Sequence, residues 1–210
     1  MSASDRVSSD ARTLDALRRG LAGRYEVIRE IGSGGMARVF SARDLRHGRS
    51  VAIKLMRDRL SDTARERFRR EVYIAAQLAH PHVVPLYDSG AVDDLVYYVM
   101  PLVEGETLKD RLTSEGPLSL EAVAAITRDV ARALDYAHER GIVHRDVKPS
   151  NIMLSGDEAL VCDFGVARAL EHADVENVSA TTGASLGTPA YMSPEQSLEA
   201  AVVDGRADVY

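Results

Sequence analysis

The chain has 210 residues, 45% of them hydrophobic, with 26 Lys and Arg against 32 Asp and Glu for a formal charge of −6. That apolar content excludes a disordered chain, and the length allows one domain or two small lobes sharing a cleft. The acidic balance argues against a general binder of nucleic acid or anionic membrane, since both select a basic surface.

Residues 1–12, rich in Ser, Asp and Arg, carry no basic-then-apolar leader and are expected to form a disordered lead-in. Leu14, Leu17 and Leu21 recur at helical steps and predict a short amphipathic helix before Arg24. From Tyr25 the period falls to two. Residues 25–28, 38–42 and 50–55 predict strands, punctuated by a glycine cluster and by His47-Gly48. Thr63 with Glu66 predicts a capping box, opening a helix whose Phe68, Val72, Ala75 and Leu78 keep helical spacing up to His80-Pro81. Two more strands are expected around 83–87 and 95–100. The second lies in the longest nearly uncharged run, Leu95–Val103, roughly half of the ~20 residues that a membrane span needs.

The second half opens with helices. Residues 108–112 predict a short turn of helix and 120–139 a long one, with Val123, Ile126, Val130 and Leu134 on one face. Ser119 is its expected N-cap and Gly141 lies just past its end. Short strands at 152–154 and 159–161 bracket a Gly-Asp turn, and from Glu171 to Leu186 all periodicity is lost. Strands first and helices second, joined at 100–106, predict an α+β fold in which a small β-rich lobe is hinged to a larger helical one. Clefts between such lobes are default ligand sites.

The run Ile31-Gly32-Ser33-Gly34-Gly35-Met36-Ala37-Arg38-Val39 joins two predicted strands. Its glycines let backbone N–H groups approach phosphates with no Cβ in the way, although a flexible hairpin is the plainer reading of such a turn. It is not a P-loop, because no Gly-Lys-Ser/Thr follows and a strand comes next. In Val51-Ala52-Ile53-Lys54-Leu55, alternation puts Ala52 and Lys54 on one face and Val51, Ile53 and Leu55 on the other. A lysine facing a cleft must be paired or lose its charge, whereas one on an edge strand only deters aggregation. Glu71 falls on the apolar stripe of the following helix, where an acid wants a cation, and Lys54 is the nearest candidate in the chain; a solvated face is the alternative.

The most specific signal is Ile142-Val143-His144-Arg145-Asp146-Val147-Lys148-Pro149-Ser150-Asn151, followed by Val161-Cys162-Asp163-Phe164-Gly165. Asp146 can accept or orient a hydroxyl proton, and Lys148 can neutralise charge on a transferred group. Asn151 and Asp163 offer hard oxygen ligands of the kind Mg²⁺ takes alongside water and phosphate. Cys162, the single cysteine, cannot close an intramolecular disulfide. It is expected to be a small buried filler in a reducing, cytoplasmic setting.

With Ser193-Pro194-Glu195, these motifs stand in the order of the protein-kinase signature set. The chain resembles a bacterial serine/threonine kinase of the eukaryotic-like (Hanks) type over residues 25–210. The resemblance implies a two-lobe kinase-like α+β fold: an antiparallel β-rich N-lobe with one helix over 25–100, a hinge at 101–106 and a mainly helical, partial C-lobe over 107–210, after a lead-in at 1–24. It implies ATP as co-substrate, with Mg²⁺, or Mn²⁺ in its place. Gly32, Ser33 and Gly34 would cover the phosphates, with Ile31 also binding the nucleotide; Val39 and Ala52 would roof the adenine and Met153 would form its floor. Lys54, paired to Glu71, would hold the α- and β-phosphates. Met100 would be the gatekeeper, with the Pro101 carbonyl and the Val103 N–H meeting the adenine. Asp146 would be the catalytic base, Lys148 the phosphate-contacting lysine, and Asn151 and Asp163 the metal ligands. His144, Phe164, Ala75 and Leu86 match the stacked residues that couple helix and loop.

Arg145 beside Asp146 implies control by activation-loop phosphorylation at Thr181, Thr182 or Ser185, and Thr188 matches the substrate-docking threonine. The implied function is phosphorylation of serine and threonine hydroxyls on proteins, in signalling, with a kinase dimer as the partner for autophosphorylation in trans. Ala37 departs from the family's third glycine without removing a catalytic group. The stop at Tyr210 gives the expectation of a chain cut inside the large lobe. On that view any membrane anchor would follow residue 210, and this chain alone would be an ATP-binding but catalytically weak fragment. A small-molecule kinase of related fold is the remaining alternative, and the segment from Gly187 to Glu195 argues against it.

Overall fold

The computed structural model describes residues 13–35, 37–57, 60–164, 189–198 and 203–210. The lead-in at 1–12 and the aperiodic stretch at 171–186 lie outside the described residues. The chain forms two compact units, Met1–Leu60 with Tyr87–Leu102, and Ser61–Leu86 with Val103–Tyr210.

In the first unit a helix, α1 (13–20), precedes five strands: β1 (Tyr25–Ser33), β2 (Ala37–Asp44), β3 (Arg49–Met56), β4 (Asp88–Val92) and β5 (Leu95–Pro101). They form one antiparallel sheet in the order β1-β2-β3-β5-β4. The register pairs Val39 with Lys54, Lys54 with Tyr98 and Ala52 with Met100, so these five side chains share one face. The opposite face carries Phe40, Val51, Ile53, Leu55, Tyr97 and Val99, which join Leu17 and Leu21 in one buried cluster. The alternation expected for β3 is therefore the one observed, and α1 uses its leucine stripe to cover the apolar face. Burying one leucine in this way contributes about 1.5–3 kcal/mol. Arg18 completes the docking: its Nε and Nη2 donate to the Val27 and Ile28 carbonyls of edge strand β1 at 3.3 and 3.1 Å.

The second unit contains α2 (Asp62–Ala75), α3 (Leu108–Glu115), α4 (Leu120–His138) and a small sheet of β6 (Glu106–Thr107), β7 (Ile152–Ser155) and β8 (Glu158–Val161). Residues 61–86 group here because Ala75, Leu78 and Val83 are buried with Ala133, Leu134 and Ala137 of α4 and with Val161 and Phe164. The cap of α2 is Ser61, whose hydroxyl accepts from the Ala64 N–H at 3.3 Å, rather than Thr63, which already sits in the first turn. The helix ends at Ala75, and buried Leu78 packs from the turn beyond it. The strand expected at 83–87 is displaced. Val83 makes only a one-residue parallel bridge to Val161, and the ladder with β5 begins at Asp88. Pro85 offers no N–H for a ladder bond.

Helix α3 is longer than its spacing suggested, because Thr107 caps it and Gly116, at φ +80°, terminates it only after Glu115. Helix α4 has the expected Ser119 cap, accepting from Ala122 N–H at 3.2 Å, and Gly141 beyond it lies at φ +71°. Its apolar face is buried at Leu134, partly buried at Val130 and Ile126, and exposed at Val123.

Candidate active site

The glycine-rich turn belongs to the first unit. Strand β1 runs on to Ser33, β2 starts at Ala37, and the Gly34 N–H closes the turn on the Ala37 carbonyl at 2.9 Å. Gly32, Gly34 and Gly35 do not take positive φ, and a Cβ on any of them would meet at most ordinary van der Waals contact. Among the described residues, neither backbone angle nor packing therefore demands glycine there. Ile31, Ser33 and Gly34 are exposed, and Val39 is half-buried. Ala52 is buried, and half-buried Lys54 has its Nζ 5.9 Å from the Tyr98 ring centroid. Met100 and Pro101 are half-buried at the end of β5; Val103, also half-buried, is carried by the second unit.

The second unit gathers the polar loop. Lys148 Nζ lies 2.7 Å from Asp146 Oδ2, and Asn151 Nδ2 donates to the same oxygen at 2.9 Å and to the Asp146 carbonyl at 2.8 Å. Both Asn151 contacts are acceptors, so the amide orientation is fixed by its partners. Asp146 is thus held through Oδ2, and both Asn151 contacts use its amide nitrogen. The Pro149–Asn151 turn buries Asn151, and its carbonyl accepts from Cys162 N–H at 3.0 Å, tying the loop to the chain entering Asp163. Met153 is half-buried on β7, paired with Leu160. Glu71 is half-buried on α2, beside buried Val72 and one turn after buried Phe68.

His144 is fully buried. Its Nδ1 accepts from Asp146 N–H at 3.1 Å, so Nε2 carries the proton it donates to the Cys162 carbonyl at 2.8 Å. Its ring meets Phe164 edge-on at 4.7 Å, and Phe164 packs in one cluster with Ala75 and Leu86. Arg145 and Asp163 take positive φ, +69° and +68°. For residues with a Cβ such angles cost about 1–3 kcal/mol each and persist only where surrounding structure enforces them.

The enforcing groups include several that motif reading missed. Asp208, its carboxylate fully buried, accepts from His144 N–H at 2.7 Å and Arg145 N–H at 2.6 Å, and lies 2.7 Å from His138 Nε2. Gln196 Nε2 donates to the Arg145 carbonyl at 2.7 Å, while its Oε1 accepts from the backbone and hydroxyl of Ser193. Arg145 is therefore gripped on both sides of its strained backbone. Its Nη2 also reaches the Val203 carbonyl at 3.5 Å. The available signal for Asp208 was an aspartate in an apolar terminal run, which names no partner 63 residues away. Thr181, Thr182, Ser185 and Thr188 lie outside the described residues.

A strained His-Arg-Asp loop with a buried histidine, an oriented carboxylate with a lysine and an asparagine on one oxygen, and a glycine-rich hairpin on an antiparallel sheet are the parts of one fold family. The family model for the protein kinase domain matches residues 25–210, and the chain belongs to the protein kinase family. It is 46% identical over 200 residues to the serine/threonine-protein kinase PknB of Mycolicibacterium smegmatis, covering 90% of this chain and 31% of the relative. PknB of Mycobacterium leprae is 44% identical over 200 residues, with the same coverage. The crystal structure of the Mycobacterium tuberculosis PknI kinase domain superposes with a TM-score of 0.70 at 34% identity, over 89% of this chain and 69% of that one. The chain spans about a third of the length of the PknB relatives it matches.

Proposed function

We propose that the chain performs ATP-dependent phosphorylation of serine and threonine hydroxyls on proteins, with residues 25–100, 101–106 and 107–210 serving as small lobe, hinge and large-lobe portion. The observation that carries this reading is the arrangement Asp146–Lys148–Asn151. One carboxylate oxygen is fixed by a cation and an amide, the other is left for a hydroxyl, and an amide oxygen remains for a metal. Gly32, Gly34 and Gly35 fit a phosphate cradle, since no atom of the described residues explains the missing Cβ and a close-approaching ligand would. In this reading Gly32 to Gly34 cover the phosphates, Lys54 neutralises them with Glu71 as its acidic partner, and Ile31, Val39, Ala52, Met100, Pro101, Val103 and Met153 hold the rest of the nucleotide.

Asn151 Oδ1 and the Asp163 carboxylate suit Mg²⁺, or Mn²⁺ in its place, which supplies charge neutralisation on the phosphates when bound. Asp146 orients the attacking hydroxyl and receives its proton, and Lys148 balances charge on the transferred group. No covalent enzyme intermediate is required. We further propose that phosphate on Thr181, Thr182 or Ser185, added in trans by a second copy, is held by Arg145, and that Thr188 docks the substrate. Among the described residues no helix is long and apolar enough to cross a membrane. We propose a cytoplasmic setting on the single, buried cysteine, Cys162.

The test is transfer of label from γ-labelled ATP with Mg²⁺ to a generic serine- and threonine-rich protein, followed by acid hydrolysis. Phosphoserine and phosphothreonine are expected; no transfer, or label on tyrosine alone, contradicts the reading. Mass spectrometry of the active chain should find phosphate within 181–185, and its absence there removes the loop-switch proposal.

A further inference from the structure

Strand β3 ends at Met56, and the next residue, Arg57, sends its side chain back to the glycine-rich turn. Its Nε donates to the Gly34 carbonyl at 2.8 Å and its Nη2 to the Ser33 hydroxyl oxygen at 2.5 Å. One planar guanidinium thereby bridges two successive residues of a turn whose own closure is the Gly34–Ala37 backbone bond. The root of the same turn is held by a second arginine. Buried Arg38 donates through Nε and Nη2 to the two Glu30 carboxylate oxygens, at 3.1 and 2.5 Å. The Arg38 hydrogen bond pulls the Glu30 carboxyl below its ordinary value against the opposing effect of burial, with help from the Ser33 hydroxyl and the Arg57 charge. The Ser33 hydroxyl accepts from Arg57, so Arg57 holds the tip of the turn while Arg38 holds its root.

This brace has a chemical purpose only if the turn must keep one shape. A glycine-rich segment has the most conformational freedom to lose, and a wandering turn cannot aim its N–H groups at an anion. We propose that Arg57 is a positioning residue for nucleotide: it fixes the glycine-rich turn in the form that presents its backbone N–H groups to the phosphates of ATP. The proposal rests on reading that turn as the phosphate-binding element. The brace acts on bound substrate and transition state alike, so its loss raises the KM for ATP and leaves kcat nearly unchanged. It acts through the phosphates, so adenosine is indifferent to it.

The experiment compares wild type, Arg57→Ala and Arg57→Lys for binding of ATP, ADP and adenosine by calorimetry with Mg²⁺, and for steady-state phosphoryl transfer. Arg57→Ala is expected to weaken ATP and ADP by about three- to tenfold, to leave adenosine within about 1.5-fold, and to change kcat by less than about twofold. Lysine keeps the charge but not the fork and should recover part of the loss. Arg57 is exposed, so the thermal midpoint should stay within about 2 °C of wild type. Equal weakening of adenosine and ATP, or an unchanged KM for ATP, overturns the proposal. Failure of wild type to bind ATP removes the phosphate-binding reading itself, and the role of Arg57 with it.

Discussion

Replacing Asp208 by asparagine removes one acceptor from a position where both carboxylate oxygens are in use. Oδ1 takes the Arg145 N–H at 2.6 Å, and Oδ2 takes the His144 N–H at 2.7 Å with His138 Nε2 at the same distance. An amide must turn its NH₂ toward one side, and the smaller loss places it against the Arg145 N–H. One buried donor is then left unpaired, at a cost of about 1–3 kcal/mol; alanine strands two donors, at about 2–6 kcal/mol. Either is a large share of the roughly 5–15 kcal/mol that holds a domain together. The lost bond also frees one side of Arg145, whose φ of +69° is held from the other side by Gln196. Urea unfolding at pH 7, with hydrogen exchange read at the amides of residues 144 and 145, checks both consequences. Asparagine should lower the unfolding free energy by about 1–3 kcal/mol, alanine by more, and both should speed exchange at those two amides. An unfolding free energy within about 0.5 kcal/mol of wild type, with protection unchanged, would refute the reasoning.

Three further outcomes are expected. Lys148→Ala should lower kcat by about 10²–10³ while changing the KM for ATP only a few-fold, because its ammonium is placed beside the Asp146 carboxylate; steady-state kinetics decide it. Leu17→Ala should cost about 2–5 kcal/mol in urea unfolding, since Leu17 is 1% exposed and seals α1 onto the sheet; a loss below about 1 kcal/mol would mean that α1 is not docked. The Asp44 carboxyl, whose burial alone would raise it, is brought from 3.8 to about 2 by hydrogen bonds from the His47 ring and backbone and from Arg49. Its contribution is therefore full above the unfolded value and is lost as pH falls through the folded one, between about pH 4 and 2. Acid unfolding of Asp44→Asn should be less steep than wild type in that window, and equal steepness counts against the assignment.

What was legible in the sequence was what depends on neighbours along the chain. The alternation of β3 set the faces of Ala52 and Lys54, and the Ser119 and Gly141 signals bounded α4, because strand pleat and helix caps are local physics. The polar spacing from Asp146 to Asn151 was equally local, and the side chains do converge on one carboxylate oxygen. Features that failed to show depend on partners elsewhere. Val83 and Val84 look like a strand by composition, yet Val83 N–H turns back to the His80 carbonyl and only Val84 N–H reaches Val161, whose position no local pattern reveals. The cap of α2 moved from Thr63 to Ser61 because both are competent residues and only backbone angles choose between them. Asp208, Gln196 and Arg57 act across 63, 51 and 23 residues of chain, respectively, through single side chains aimed at backbone or hydroxyl groups, and such contacts leave no periodic trace.

The most direct measurement is single-turnover transfer of the γ-phosphoryl group from ATP to a serine or threonine substrate, by wild type and by Asp146→Asn. The asparagine side chain keeps the size and the hydrogen-bonding reach of the carboxylate but cannot take the hydroxyl proton. If Asp146 orients and deprotonates the hydroxyl, the variant should bind ATP within about threefold of wild type and transfer phosphate about 10²–10⁴ times more slowly. Transfer by Asp146→Asn at a rate within about tenfold of wild type would contradict it.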